Sequence, residues 1–222
     1  RYGSSAASDV YKRQVLFLLV LAIIWRNNAR KYISSGTVAS AYDAWTQDKL
    51  LERLWGEHIH LGFYPLGKKN IDFRKAKVQF VHELVKWSGL DKLPQGSRIL
   101  DVGCGIGGSS RILAEYYGFN VTGITISPAQ VKRARELTPH GLNCNFQVMD
   151  ALDLKFEDGS FDAVWSVEAG AHMNDKTRFA DEMLRTLRPN GYLALADWNS
   201  RDLEAYPPSF FEKLVLKQLL EQ

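Results

Sequence analysis

The sequence predicts an α/β chain: a parallel sheet with helices on both faces and a helical cap before it. Three observations carry this. Apolar runs at 98–103, 120–125, 145–149, 161–167 and 191–197 read as strands. Amphipathic stretches at 107–117, 128–137, 175–187 and 208–220 alternate with them through short connections, which favours parallel pairing with crossover helices. The third is "RILDVGCGIGGSSRIL", Arg98 to Leu113, which passes from a buried strand through a glycine-rich turn into a helix.

The bulk properties narrow the class. The 222 residues are 45% apolar and 24% charged, as in an ordinary globular protein. A net charge of +3, with no Lys/Arg run inside the domain, speaks against nucleic acid as a partner. Cys104 and Cys144 are far apart and lack a C-x-x-C partner, which argues against zinc or a disulfide framework and fits a reducing compartment.

The elements follow in order. Residues 1–14 are small and polar without periodicity, and read as a non-native leader. Residues 15–25, "VLFLLVLAIIW", form an apolar run shorter than the roughly 20 residues of a full span. With Arg26, Arg30 and Lys31 behind it and no cleavage site, it reads as a membrane anchor; a signal-peptide core or a buried helix are the other readings. Residues 34–90 form the cap or lid, and residues 91–222 the ligand-binding domain. Within the cap, 34–75 is helical with loops, and "GEHIHLGFYPLGKK" breaks it with Gly and Pro. Residues 74–88 form an amphipathic helix, with Val78, Phe80, Val81, Leu84, Val85 and Trp87 as its apolar face. Trp45, Trp55 and Trp198 are expected in the core. The chain stops inside the apolar stretch "FFEKLVLKQLLEQ", leaving "YLALAD" as an exposed sheet edge, so the natural protein is expected to continue into further strands.

The glycine turn fits G-x-G-x-x-G through Gly103, Gly105 and Gly108. A dinucleotide site also needs an acid about 20 residues on, at the end of the second strand. Here that strand ends "VTGITISPAQ", with no Asp or Glu, and no Arg for a 2′-phosphate. An NAD(P)-dependent oxidoreductase therefore lacks its residues. The acid stands before the glycines instead, at Asp101. A carboxylate there repels a pyrophosphate and suits a cation. S-adenosylmethionine carries a sulfonium and an ammonium and no phosphate. The expected ligand is that methyl donor, with the glycines letting the backbone approach its amino-acid end.

Several longer stretches then coincide: "LDVGCGIGGSSRILA", "GFNVTGITISPAQVKRARELT", "WGEHIHLGFY" and the run from "MDALDLKFEDG" to "LALADWN". Together they resemble the tocopherol-pathway methyltransferases over about residues 30–222, the phytylbenzoquinol branch more than the γ-tocopherol branch. The resemblance implies a Rossmann-like class I fold and methyl transfer from S-adenosylmethionine to a ring carbon of a prenylated benzoquinol, in tocopherol or plastoquinone biosynthesis. It leaves γ-tocopherol, sterol and menaquinone acceptors as alternatives. One departure is Ala171 in "EAGAHM", where the family usually reads Pro.

Site residues follow from both sources. Asp101, Gly103 and Gly105 hold the donor's methionine end. Thr125 and Gln130 stand where an acidic ribose ligand would be, and the resemblance supports a neutral ribose contact by Gln130. Asp150 resembles the acid that accepts from the adenine amino group. "SVEAGAHM", Ser166 to Met173, leaves the fourth strand at the end where open α/β sheets bind ligands. Ring-carbon methylation needs a phenol close to deprotonation, so His172 is the expected general base, with Glu168 orienting it or acting as base itself. His58, His60 and Tyr64 are expected to close over the quinol, and Tyr42 to cover the donor or face the core. His-x-His lacks further ligands at suitable spacing, so no metal is expected. The expected partners are a prenylated quinol and a membrane surface, in a cyanobacterial membrane or at a plastid envelope or thylakoid.

Overall fold

The computed structural model describes residues 35–67, 70–198, 207 and 209. The expected leader at 1–14, the apolar run at 15–25 and, apart from Ser209, the helix at 208–220 lie outside the described residues. The cap holds helices α1 (Ser35–Gln47), α2 (Leu50–Trp55) and α3 (Phe73–Ser88). Strands β1 (Arg98–Val102), β2 (Asn120–Thr125), β3 (Cys144–Val148), β4 (Phe161–Val167) and β5 (Leu187–Ala196) follow, with α4 (Gly108–Tyr117), α5 (Pro128–Leu137) and α6 (Lys176–Thr186) between them. The strands form one sheet in the order β3-β2-β1-β4-β5, and every neighbouring pair is parallel.

Local chemistry explains the boundaries. Asp72 caps α3, its carboxylate accepting from the amides of Arg74 and Lys75. Gly89 ends that helix in the left-handed conformation at φ 77°. Ser127 caps α5, and Pro128 takes the first helical position. Asp175 caps α6.

Period-two alternation divides the core. Ile99 on β1 packs with Val81 and Val85 of α3, Leu113 of α4 and Trp165 of β4. Leu100 and Val102 face the other way, toward Phe179 and Met183 of α6. Both faces of β1 are buried, as a central parallel strand requires. Asp101, on the Ile99 side, pairs across to Gly123 on β2 and Trp165 on β4.

The structure corrects several expectations. Trp87 is 79% exposed. At 100° per residue it lies about 120° from Val81, off the stripe that Leu84 and Val85 complete. Trp45, Trp55 and Trp198 are also exposed, and the core tryptophan is Trp165. β5 starts at Leu187, paired with Phe161, and resumes after an irregularity in which Asn190 has φ 61°. Pro189, Asn190 and Gly191 imitate a turn in the sequence, so the strand reads as starting late. No helix among the described residues is long and apolar enough to cross a membrane.

Candidate active site

The carboxyl ends of four adjacent strands converge on one edge of the sheet. Asp101 is the penultimate residue of β1, Thr125 ends β2, Asp150 follows β3 and Glu168 follows β4. Ligands of open α/β sheets bind at this edge.

Asp101 is only 2% exposed. Its carboxylate accepts from the Ser110 hydroxyl at 2.5 Å. Among the described residues no cationic side chain pairs with it. Burial pushes its carboxyl up to about 7, against the lowering effect of the Ser110 bond. A cation brought to this point would gain a partner that the fold leaves short of one. The glycine turn beside it is open. A Cβ on Gly105, at φ 55°, would meet no atom within 4 Å. Gly103 is exposed at φ 79°, but its Cβ would lie 2.4 Å from that of Ala169. Gly108 serves a different end: a Cβ there would meet the Glu57 carbonyl at 2.5 Å, so this glycine admits the cap loop.

Thr125 and Gln130 are both buried and bonded to each other, the threonine hydroxyl donating to the Gln130 carbonyl at 2.6 Å. This bond leaves the Gln130 amide hydrogens as donors. Asp150 is partly buried and accepts from the Leu152 amide at 2.9 Å, with one carboxylate oxygen left over.

The cap reaches this edge through α1. The Asp43 carboxylate accepts from the Ser127 hydroxyl and, at 3.1 Å, from the Ala129 amide, so α1 helps to cap α5. The neighbouring residue on α1, Tyr42, bonds His172 Nε2 at 2.8 Å, their rings edge to face. Withdrawal from water holds the His172 imidazole below its ordinary range; Asp197 opposes the shift and Lys176 adds to it. Burial raises the Tyr42 phenol. Burial thus favours the protonated phenol and the unprotonated imidazole, an arrangement in which the tyrosine hydroxyl can donate to Nε2.

The expected contact between Glu168 and His172 is corrected. Glu168 Oε1 accepts from the Leu61 amide at 3.0 Å, and Oε2 from the Trp198 indole at 3.1 Å. Its φ of 52° places it in the left-handed region, unusual for a residue with a side chain. Tyr42, and not Glu168, orients His172. Glu168 ties the cap loop to the strand end.

The His-x-His pair is corrected in the same way. His60 is buried against Phe80 and bonds the Leu61 carbonyl through Nδ1 at 2.7 Å. Its Nε2 meets His58 Nδ1 at 3.1 Å. Burial holds His60 below its usual range and His58 down to about 3, so the pair is neutral. These rings fasten the cap loop and do not stand open to a substrate. Lys77, buried beneath them, donates to the carbonyls of Trp55 and His58 at 3.0 and 2.7 Å. Arg111 holds Glu57 at 2.6 Å. Tyr64 remains exposed.

Sequence reasoning missed Asp43, Ser110 and Lys77. Ser110 carries a faint signal, as a polar residue just past the glycine turn. Asp43 and Lys77 sit among helix residues whose spacing says nothing of their partners.

A five-stranded parallel sheet with a glycine turn and a buried acid at the end of β1 is the Rossmann-like class I methyltransferase fold. Residues 100–195 match the family model described as "Methyltransferase domain". Across most of its length the chain is similar to tocopherol-pathway enzymes. It is 58% identical over 210 residues to the 2-methyl-6-phytyl-1,4-hydroquinone methyltransferase of Synechocystis, an alignment covering 93% of this chain and 65% of that protein. It is 40% identical to the chloroplastic tocopherol O-methyltransferase of Arabidopsis thaliana, over 70% of this chain and 48% of that one. The chain thus spans about two thirds and about half of the lengths of these relatives. Among solved structures, the [4+2]-cyclase SpnF superposes with a TM-score of 0.64 at 30% identity, over 72% of this chain and 58% of that one. This fold therefore also accompanies other chemistry, and function has to be argued from the site.

Proposed function

We propose that the protein transfers a methyl group from S-adenosylmethionine to a ring carbon of a prenylated benzoquinol. The observation that carries the reading is the buried Asp101 carboxyl, which has no cationic partner among the described residues, beside an open glycine turn and at the same strand edge as His172. The similarity to the Synechocystis enzyme supports the choice of acceptor.

S-adenosylmethionine supplies an electrophilic methyl group on a sulfonium. The residues present fit it. Asp101 and the backbone of Gly103 and Gly105 hold the ammonium end. The Gln130 amide, fixed by Thr125, donates to ribose hydroxyls. The spare oxygen of Asp150 accepts from the adenine amino group.

The protein's own chemistry lies with Tyr42 and His172. A quinol hydroxyl donates to Tyr42 Oη while Tyr42 donates to His172 Nε2. As the ring carbon takes the methyl group, the quinol proton passes to Tyr42 and the Tyr42 proton to His172; the proton on the methylated carbon then moves to the quinol oxygen, restoring the aromatic ring, and the imidazolium returns its proton to solvent. Withdrawal from water favours the unprotonated imidazole, the form a base needs at the start of the step. Glu168, Leu61 and Trp198 hold the cap against the edge. The apolar run at 15–25 keeps the domain at the membrane where a prenylated substrate dissolves. The relatives come from a cyanobacterium and a chloroplast, and we assign this protein to the same kind of membrane.

Incubation with methyl-labelled S-adenosylmethionine and 2-methyl-6-phytylbenzoquinol tests the reading. Label on a ring carbon of the quinol is the expected result. Label on oxygen, or only on γ-tocopherol, overturns the choice of acceptor.

A further inference from the structure

We propose that the described residues 54–67 and 70–73 form a docking surface for an anionic lipid bilayer, distinct in sequence from the apolar run at 15–25. This rests on the reading above in one respect: a prenylated acceptor has to be drawn from lipid.

The segment leaves seven large apolar side chains partly or wholly in water, among them Leu54, Trp55, Leu61, Phe63, Leu66 and Phe73. Soluble surfaces scatter such residues singly, and a concentration of them marks an interaction site. Leu66 is fully exposed, between Pro65 and a Gly67 at φ 80°, so an apolar tip projects from a turn. Trp55 and Phe73 lie 6.2 Å apart with the Arg74 guanidinium over Phe73.

The charge around them selects the partner. Arg53, Arg74 and Lys75 are exposed cations. The nearby acids are engaged, Glu57 by Arg111 and Asp72 by the first amides of α3. Apolar and aromatic side chains rimmed by cations match the interface of an anionic membrane, where aliphatic groups enter the acyl boundary and aromatic rings sit at headgroup level. A protein partner calls for a complementary shape, which a single projecting turn does not offer.

The placement also serves the site. Leu61, inside the segment, donates its amide to Glu168 at the end of β4, and Phe63 donates its amide to the Ala76 carbonyl of α3. A bilayer touching this segment lies beside the cap that closes over the proposed acceptor.

The test uses the full chain with Leu66→Cys carrying an environment-sensitive fluorophore, and Lys132→Cys on α5 as reference. Both natural thiols are held up by burial, Cys144 to about 12, so labelling is selective. With phosphatidylglycerol vesicles, the label at position 66 is expected to shift blue and to be quenched by lipids brominated on their acyl chains; the label at 132 is not. A smaller shift on phosphatidylcholine supports the role of the cations. A label that stays in water while the protein sediments with vesicles overturns the proposal, because another segment then binds. A blue shift without lipid that grows with protein concentration also overturns it in favour of a second copy. Phe63→Ser with Leu66→Ser is expected to slow turnover of a phytylated quinol in vesicles about tenfold, from two apolar groups left in water, while a tail-less quinol in solution is methylated as before. No methylation of the tail-less quinol by the wild type would count against the enzyme reading, whereas the label reports docking on its own.

Discussion

Tyr42 and His172, 130 positions apart, share a 2.8 Å hydrogen bond that joins the cap to the end of β4. The bond places a phenol oxygen against the proposed base. His172→Ala is expected to lower turnover by roughly 10²- to 10⁴-fold, the range typical of a lost general base. Tyr42→Phe keeps the ring that shields His172 and removes the bond that favours its neutral form. Its acid limb is therefore expected at higher pH than that of the wild type, with turnover reduced. A pH–rate profile of both proteins measures this, and an unmoved limb would detach Tyr42 from the base.

The two glycines beside Asp101 are expected to part company on substitution. Gly105→Ala meets open space and bears only the left-handed backbone cost of about 1–2 kcal/mol. It should fold, with donor affinity reduced because the added methyl stands in the ligand's space. Gly103→Ala adds an overlap with Ala169 and should be less stable. Ala169→Gly in the same chain should recover part of that loss. Thermal unfolding and donor binding of the four proteins separate the two effects.

Asp101 makes both stability and affinity depend on pH. Its folded carboxyl titrates near 7, well above the ordinary carboxylate range, so the folded state favours the protonated form. The resulting stability is full at low pH and is lost as pH rises from about 4 to about 7. Ligand with an ammonium group selects the ionised form. Donor affinity should therefore fall on acidification below 7, by up to about tenfold per pH unit, with proton release on binding. Calorimetry in buffers of different ionisation enthalpy detects the released proton. Asp101→Asn should abolish the release.

Asp43 joins α1 to the start of α5. Asp43→Ala is expected to destabilise the protein by about 1–2 kcal/mol, as loss of a helix cap does. Amide exchange across α1 should quicken, while β1 and β4 keep their protection.

The sheet was legible because its strands are apolar runs bounded by glycine turns, and Ser127–Pro128 and Asp175 mark helix starts by local chemistry. The placement of Asp101, the glycines and Asp150 on one edge is legible for a similar reason: they lie at strand ends, whose positions follow from the strands themselves. The cap was not. Its contacts join residues far apart in sequence, so Glu168 was matched with the nearest histidine and the His-x-His pair with the substrate. Tertiary packing gave Glu168 to Leu61 and Trp198, and buried His60 against Phe80. The exposed tryptophans misled for another reason: size predicts burial only when helical phase agrees, and Trp87 is out of phase.

Binding of S-adenosylhomocysteine against NADH, by calorimetry on the wild type and Asp101→Ala, tests the central claim most directly. The account predicts micromolar binding of S-adenosylhomocysteine, lost in the variant, and none of NADH. Binding of NADH by the folded wild type, with no S-adenosylhomocysteine bound, would contradict it.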